Sequence, residues 1–183
     1  MMEAAGTSGP AAAPMLTTAR LRLRAHRSED FEDVARLWAD PEVVRHITGT
    51  PSTEAESWSR LLRYSGHWSH LGYGYWVVED RATGRFLGEA GLAHYKRDLD
   101  VACRDLPEAG WVFARDAWGK GHAYDAMTAI LSWADHALQA AGTWCFISAD
   151  HAASLRLAGR LGFRESRRES TVVILERPRR ESA

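Results

Sequence analysis

Cysteine is scarce: Cys103 and Cys145 are the only two in 183 residues. They lie far apart and fit no metal or redox spacing, which argues against a disulfide framework and for a reducing, cytoplasmic setting. Net charge is nearly absent too. The 23 Lys and Arg against 24 Asp and Glu leave −1 at neutral pH, which speaks against bulk nucleic-acid binding. Arginines do cluster near both ends (Arg20, Arg22, Arg24, Arg27; Arg164, Arg167, Arg168, Arg177, Arg179, Arg180), and they read as solvated strand faces and a charged tail. No apolar run approaches the roughly 20 residues that span a membrane. The opening MMEAAGTSGPAAAPM has neither the basic start nor the hydrophobic region of a secretory signal, and reads as a disordered Ala/Gly/Pro extension. His67 and His70 stand three apart without a carboxylate at ligand spacing, so no metal is expected. There is no G-x-S-x-G elbow, which excludes a serine hydrolase of that kind.

What is present suits one folded domain. The chain is 45% apolar and 26% charged, the balance of a protein with a well-buried core. The expected division is an extension over 1–15, a single domain over 16–177 and a charged tail over 178–183. Residues 19–24 alternate Leu21 and Leu23 with Arg22 and Arg24, a strand with one buried face. Ser28 is placed to cap a helix carrying Phe31, Val34, Ala35 and Trp38 and ending near Asp40-Pro41. Residues 53–70 form a second helix, with Trp58, Leu61, Leu62 and Trp68 on its apolar side. After Gly72-Tyr73-Gly74 come a strand at 75–78, a turn at Ala82-Thr83-Gly84 and a strand at 86–92, where Gly88 and Gly91 suggest a bulge or close packing. Residues 96–104 are a polar loop and 106–113 the next strand.

The chain is organised around residues 111–141. Trp111-Val112-Phe113 closes a strand, Gly119-Lys120-Gly121 makes a turn, and Met127, Ile130, Leu131, Ala134 and Leu138 recur at helical spacing. Gly142 would end that helix. Two glycines admit close backbone approach, and the first helical turn presents unpaired N–H groups with positive dipole character. This is an anion cradle suited to a pyrophosphate. A Walker A loop would need Ser or Thr where Gly121 follows Lys120, and a dinucleotide fingerprint would need a small residue at Tyr124.

Trp118-Gly119-Lys120-Gly121-His122-Ala123 instead resembles the acyl-coenzyme A motif of the GNAT acetyltransferases, Gln/Arg-x-x-Gly-x-Gly/Ala, with Trp118 replacing the Gln or Arg. That tryptophan, and the opening from Thr18 to Val43, resemble the branch of ribosomal-protein N-terminal (alanine) acetyltransferases. After a buried strand at 143–149, the run from Asp150 to Phe163 resembles the second GNAT signature, Asn-x-x-Ser followed by Leu-Gly-Phe, here with Ser154 and Leu161-Gly162-Phe163. His151 stands in place of the asparagine. Two last strands follow, the second at 171–175.

The resemblance implies a single α/β (α+β) domain with a mixed, mostly antiparallel central sheet flanked by helices. It implies acetyl-CoA as co-substrate, held by Trp111, Val112 and Phe113, by Trp118, Gly119, Lys120, Gly121, His122, Ala123 and Tyr124, and by His151 and Ser154. Acyl transfer to an amine needs a base, an oxyanion donor and an acid for the leaving thiolate. By the same resemblance a backbone N–H of the 111–113 strand is the oxyanion donor. Glu108 is the base, a role that burial among Trp76 and Trp111 would tune, or else a strand residue that orients substrate. Ser154 is the acid, or a helix cap, or both. Glu89 either lines the acceptor site or faces solvent, with solvent favoured. His94 and His122 read as surface or groove residues. Cys103 and Cys145 have no base beside them in sequence.

The implied activity is direct transfer of acetyl from acetyl-CoA to a primary amine, an α-amine of a protein N-terminus or of a small amino compound. The alternatives are a non-catalytic acyl-CoA-binding or sensing protein, or a small-molecule (polyamine or antibiotic) acetyltransferase. The expected partners are the acceptor and a second copy of the chain, paired through exposed edge strands; no metal, nucleic acid or membrane is expected.

Overall fold

A computed structural model describes residues 13–97 and 101–180. Eight strands form one sheet in the order β1-β2-β3-β4-β5-β6-β8-β7. They are β1 (Leu16–Thr17), β2 (Leu21–Arg24), β3 (Tyr75–Asp80), β4 (Phe86–Ala93), β5 (Glu108–Phe113), β6 (Gly142–Ser148), β7 (Arg164–Arg168) and β8 (Val172–Pro178). Every neighbouring pair is antiparallel except β5–β6, which is parallel. The sheet is thus mixed and mostly antiparallel.

Helices cover both faces. One layer contains α1 (Phe31–Ala39), α2 (Pro41–Val44) and α3 (Glu54–Leu71); the other contains α4 (His122–Ala137) and α5 (Ala152–Leu161). Strand alternation sends side chains to the two layers in turn. Val112 joins Val34, Leu37, Trp38 and Leu61, whereas Ala109 and Phe113 join Met127, Ile130, Leu131 and Ala158. Two arginines tie elements together. Arg177 of β8 grips Asp135 of α4 at 2.6 and 2.9 Å, and Arg24 of β2 bridges Asp30 and Glu79 at 2.6–2.7 Å.

Several local expectations are corrected. Ser28 caps nothing: the short turn Ser28–Asp30 precedes α1, and the Asp30 carboxylate accepts the Arg27 N–H at 2.7 Å. α1 does end at Asp40-Pro41, as expected, and the same pair starts a further short helix. Asp40 accepts the Glu42 N–H and Pro41 opens α2, using proline's fixed φ at a helix start. On α3 the buried face is Ser57, Leu61, Tyr64 and Trp68, while Trp58 and Leu62 are exposed. Gly142 does not end α4. The helix stops at Ala137, and Gly142 begins β6, where an added Cβ would lie 2.4 Å from the Arg177 carbonyl. Its glycine is required by the neighbouring strand, a contact that local sequence does not show.

Ala13 packs against the core, and the Pro14 carbonyl accepts the indole N–H of fully buried Trp76 at 2.7 Å. The chain is therefore already fixed at 13–14, inside the stretch that composition reads as an extension.

Candidate active site

The parallel pair β5–β6 is the opening in the sheet. It is bridged only at Glu108 and Trp144, with the Trp144 N–H donating to the Pro107 carbonyl at 3.1 Å. Beyond that point the strands diverge. The Pro107 carbonyl faces β6, and the Phe113 carbonyl accepts from Trp118 rather than from β4. By two-residue alternation, the backbone groups of Ala109 and Trp111 face the same open side. A cleft of about 530 Å³ follows this gap, lined along β5 by Glu108, Ala109, Gly110, Trp111 and Val112. It is also lined by Phe146, Ser148, His151 and Ser154 from beyond the gap.

The glycine turn lies past the end of β5. Gly119 and Gly121 take φ of 71° and 80°, the left-handed region that suits glycine. Gly121 is the N-cap of α4 and no side chain satisfies the helix's first N–H groups. An added Cβ at Gly119 would meet nothing within 4 Å, so the approach is open. Trp118 is half exposed and its indole N–H donates to the Phe113 carbonyl at 2.7 Å, fastening turn to strand. Arg20 fastens the other side. Its guanidinium donates to the Lys120 carbonyl at 2.8 Å and pairs with Asp125 at 2.6 Å. Arg160 lies over the Tyr124 ring at 4.3 Å. His122 is buried with Nδ1 unpartnered; burial lowers its pKa, and Arg20 and Lys120 lower it further. Open N–H groups, two Cβ-free positions and three nearby cations fit a pyrophosphate, the charged part of coenzyme A.

Across the gap the second signature forms a connected set. The Trp111 indole N–H donates to Ser154 Oγ at 3.2 Å, and Ser154 Oγ lies 3.4 Å from His151 Nε2. His151, not Ser154, occupies the N-cap of α5, and its side chain makes no capping bond. Ser154 is thus not a helix cap; its hydroxyl is held at the cleft wall. His151 stacks on His46 at 4.5 Å, and His46 donates from Nδ1 to Asp150 at 3.1 Å. Burial, then the charge of His46, hold His151 below its ordinary pKa, which keeps its imidazole neutral at pH 7.

Glu108 is buried, but not against Trp76. Trp76 turns to the opposite layer, where it packs on Trp68 and Trp133. Both Glu108 oxygens accept from Arg97, Nε at 2.8 Å and Nη2 at 2.9 Å. Gly110 makes room for Tyr75, whose hydroxyl an added Cβ would strike, and Tyr95 lines the cleft with it.

Glu89 does not face solvent. It is fully buried, accepting from His26 Nε2 and Trp38 Nε1, each at 2.7 Å. Nor does it line the cleft, from which Trp38 and Tyr64 separate it. His94 does line the cleft, with His67 near it, whereas His122 lies at the glycine turn. Cys145 also lines it, but burial holds its thiol far above the ordinary value, and burial with Glu176 pushes Cys103 up to about 11. Neither is a thiolate nucleophile at neutral pH.

Residue-by-residue reading did not find His46, Tyr75 or Tyr95, and it gave Arg97 only as a basic candidate of the acceptor groove, together with Arg60, Arg63, Lys96 and Arg104. The pairing of Arg97 with Glu108 was not legible, since that carboxylate comes from the next strand. Among the described residues no group of three or more His, Cys, Asp or Glu could hold a metal ion, and no helix is long and apolar enough to cross a membrane.

A family model described as an acetyltransferase (GNAT) domain matches residues 20–164. The uncharacterized protein YkkB of Bacillus subtilis (strain 168) is 30% identical over 158 residues, covering 83% of this chain and 86% of that one. A solved Bordetella pertussis chain assigned to the GnaT family superposes with a TM-score of 0.79 at 28% identity, over 90% of this chain and 99% of that one. Two more distant structures share the fold. Spermidine N-acetyltransferase from Vibrio cholerae, in complex with CoA and spermine, gives 0.70 at 18% identity over 88% and 97%. Ribosomal-protein-S5-alanine acetyltransferase from Vibrio fischeri gives 0.69 at 16% identity over 91% and 97%.

Proposed function

The chain belongs to the GNAT acetyltransferase family, and from that premise we propose that it transfers acetyl from acetyl-CoA directly to a primary amine, an α-amine of a peptide N-terminus or of a small amino compound. The observation that carries this is the gap between β5 and β6, whose cleft contains Glu108 and Ser154, with the Gly119–Gly121 turn following the end of the same β5 strand. The turn and the start of α4 would hold the pyrophosphate, with Arg20 and Lys120 neutralising it. The coenzyme supplies an activated acyl group as its thioester.

The protein's own groups account for the rest. The Trp111 backbone, unpaired by β6, offers an N–H where negative charge develops on the carbonyl oxygen. Glu108 accepts the proton that leaves the amine nitrogen, directly or through water, while Arg97 holds its carboxylate in place. Ser154 accepts from the Trp111 indole and so keeps its own hydrogen free for the departing sulfur, with His151 next in line. In balance, a C–N bond forms, a C–S bond breaks, and the proton lost by the neutral amine replaces the one the thiolate gains.

The distant spermidine acetyltransferase raises a polyamine as acceptor. Against it, four permanent cations line the cleft (Arg60, Arg63, Lys96 and Arg97), with a single described carboxylate. Such a wall repels a polycation. An assay of acetyl-CoA-dependent thiol release with α-amine peptides, free amino acids and spermidine at matched concentrations tests the proposal. Release with the α-amines, faster than with spermidine, is expected. Coenzyme binding without release by any amine would leave the non-catalytic sensing alternative standing instead.

A further inference from the structure

An amphipathic helix packed over a sheet ordinarily turns apolar residues inward. Where α3 faces the cleft, the residues at i, i+3, i+4 and i+7 are Arg60, Arg63, Tyr64 and His67, and all four line it. Opposite them, Tyr95, Lys96 and Arg97 are consecutive and also all line it. An extended chain cannot do this, because successive side chains alternate. Lys96 is the only described non-glycine residue with positive φ, at 50°, and that turn lets three neighbours face one way. A non-glycine residue held in this region marks a conformation imposed by its surroundings, often at a binding site.

Apart from Arg97, the cations are placed but not neutralised. Glu108 is the only carboxylate among the described residues of the cleft wall, and both of its oxygens are taken by Arg97. The Arg60 guanidinium carbon lies over the Trp38 ring, 3.6 Å from its centroid, and Arg60 donates to Ser52 Oγ at 3.3 Å. Arg63 lies over the Tyr95 ring at 5.2 Å. No ion pair joins Arg60, Arg63 or Lys96 to a described residue. Stacking fixes a guanidinium plane while leaving its edge N–H groups free, the arrangement that binds a carboxylate through two parallel hydrogen bonds. The neighbouring histidine senses the same field: burial first, then Arg63 and His94, hold His67 below its ordinary pKa.

We propose that the acceptor is an amine bearing a carboxylate in the same small molecule, an amino acid or short peptide, with that carboxylate bound by Arg63 together with Arg60 and Lys96. The amine end then extends toward Glu108 and the gap. This rests on the acetyltransferase reading and names the substrate class of its acceptor site. A cleft of about 530 Å³ has room for a dipeptide-sized molecule. Polyamines are excluded by charge, and a neutral N-terminus gains nothing from the basic wall.

Binding is measured by calorimetry on the full chain saturated with coenzyme A. The probes are L-alanyl-L-glutamate, the matching L-alanyl-L-glutamine amide, and spermidine, at low salt and at 0.5 M NaCl. The acid should bind roughly tenfold or more tightly than the amide, consistent with charge-assisted hydrogen bonds, and salt should shrink that advantage. Arg63→Gln should remove most of the preference and Arg63→Lys should retain part of it. Arg63 is solvent-exposed, and melting curves check that both variants fold. Equal binding of acid and amide, an undiminished preference in Arg63→Gln, or tightest binding of spermidine would each overturn the proposal. The readout needs no turnover. A carboxylate preference without thiol release sinks the transfer reading and keeps this one; thiol release with acid and amide bound equally does the reverse.

Discussion

Replacing Glu108 by Gln separates the two roles open to this carboxylate, because the structure gives it a partner that can be replaced independently. Glutamine keeps the volume and leaves one oxygen for Arg97, but its NH₂ group now faces the other Arg97 donor. At least one of the bonds at 2.8 and 2.9 Å is lost, together with the charge attraction. A hydrogen bond to a charged group contributes about 1.5–3 kcal/mol. The Arg97 side chain is 34% exposed, so solvent screening reduces this to roughly 1–2 kcal/mol. For a chain of this size that is a melting shift of about 2–8 °C, small enough to leave the protein folded at assay temperature. The catalytic effect is of another order. Losing the group that takes the amine proton should slow turnover by roughly 10²–10⁴-fold with coenzyme affinity nearly unchanged. The loss should shrink as pH rises past the α-amine value near 8, where the free amine predominates. Arg97→Gln leaves the carboxylate present but loosely held, so its loss should be smaller. Thiol release followed from pH 6.5 to 9.5 in both single variants and the double variant gives the answer. Equal losses in the two singles, no further loss in the double and no pH dependence would reduce Glu108 to a counter-ion for Arg97.

Three further outcomes are expected. Trp111→Phe removes the indole N–H held on Ser154 at 3.2 Å, a neutral hydrogen bond, and should lower turnover about 2–10-fold with little change in coenzyme affinity; unaltered turnover would detach Ser154 from the chemistry. Deleting residues 1–14 takes away the carbonyl that accepts from buried Trp76, at a cost of about 1–3 kcal/mol, so the protein should melt several degrees below one lacking only 1–12; equal melting temperatures would contradict this. Burial, the largest single influence, raises Asp30 and Asp135, but hydrogen bonds from Arg24 and Arg177, backbone hydrogen bonds and the charge attraction of these arginines together outweigh it and hold both below 3.8. Their stabilisation is complete above pH 3.8 and is lost as pH falls through the lower folded values, so calorimetry should show melting temperature dropping steeply below about pH 4 and less steeply in Asp135→Asn.

What the sequence made legible was local. The strand, glycine turn and helix at 111–137 depend on residues within a few turns of one another, and the structure keeps them in that order. The alternation in β2 and the fourteen-residue run ending in Leu161-Gly162-Phe163 were readable for the same reason. The errors fall where a residue's partner is remote. Gly142 looked like a helix end because its crowding comes from Arg177, 35 positions later. Glu89 looked solvated because its two donors, His26 and Trp38, sit more than fifty residues upstream. Glu108 was given an apolar setting among Trp76 and Trp111, yet the register puts Trp76 level with Trp111, three positions along β5, and Trp76 packs on Trp133 of α4. The helix 53–70 was read one position off on part of its stripe. Trp58 and Leu62 are the more apolar residues, but Ser57, Leu61 and Tyr64 share the face that meets the sheet. That same face, continued by Arg60, Arg63 and His67, lines the cleft and is the proposed acceptor wall, which apolar periodicity alone cannot reveal.

Acetyl transfer through the β5–β6 gap is tested most directly by mass spectrometry with isotope-labelled acetyl-CoA and an α-amine dipeptide, comparing the native chain with Gly121→Glu. That substitution puts a carboxylate at the start of α4, where phosphate should lie, and its strain at φ 80° is checked by melting. The account predicts labelled N-acetyl dipeptide from the native chain in step with free thiol, and neither product nor coenzyme binding from the folded variant. Label appearing on the dipeptide equally with both proteins, or with neither while coenzyme A still binds the native chain, would contradict it.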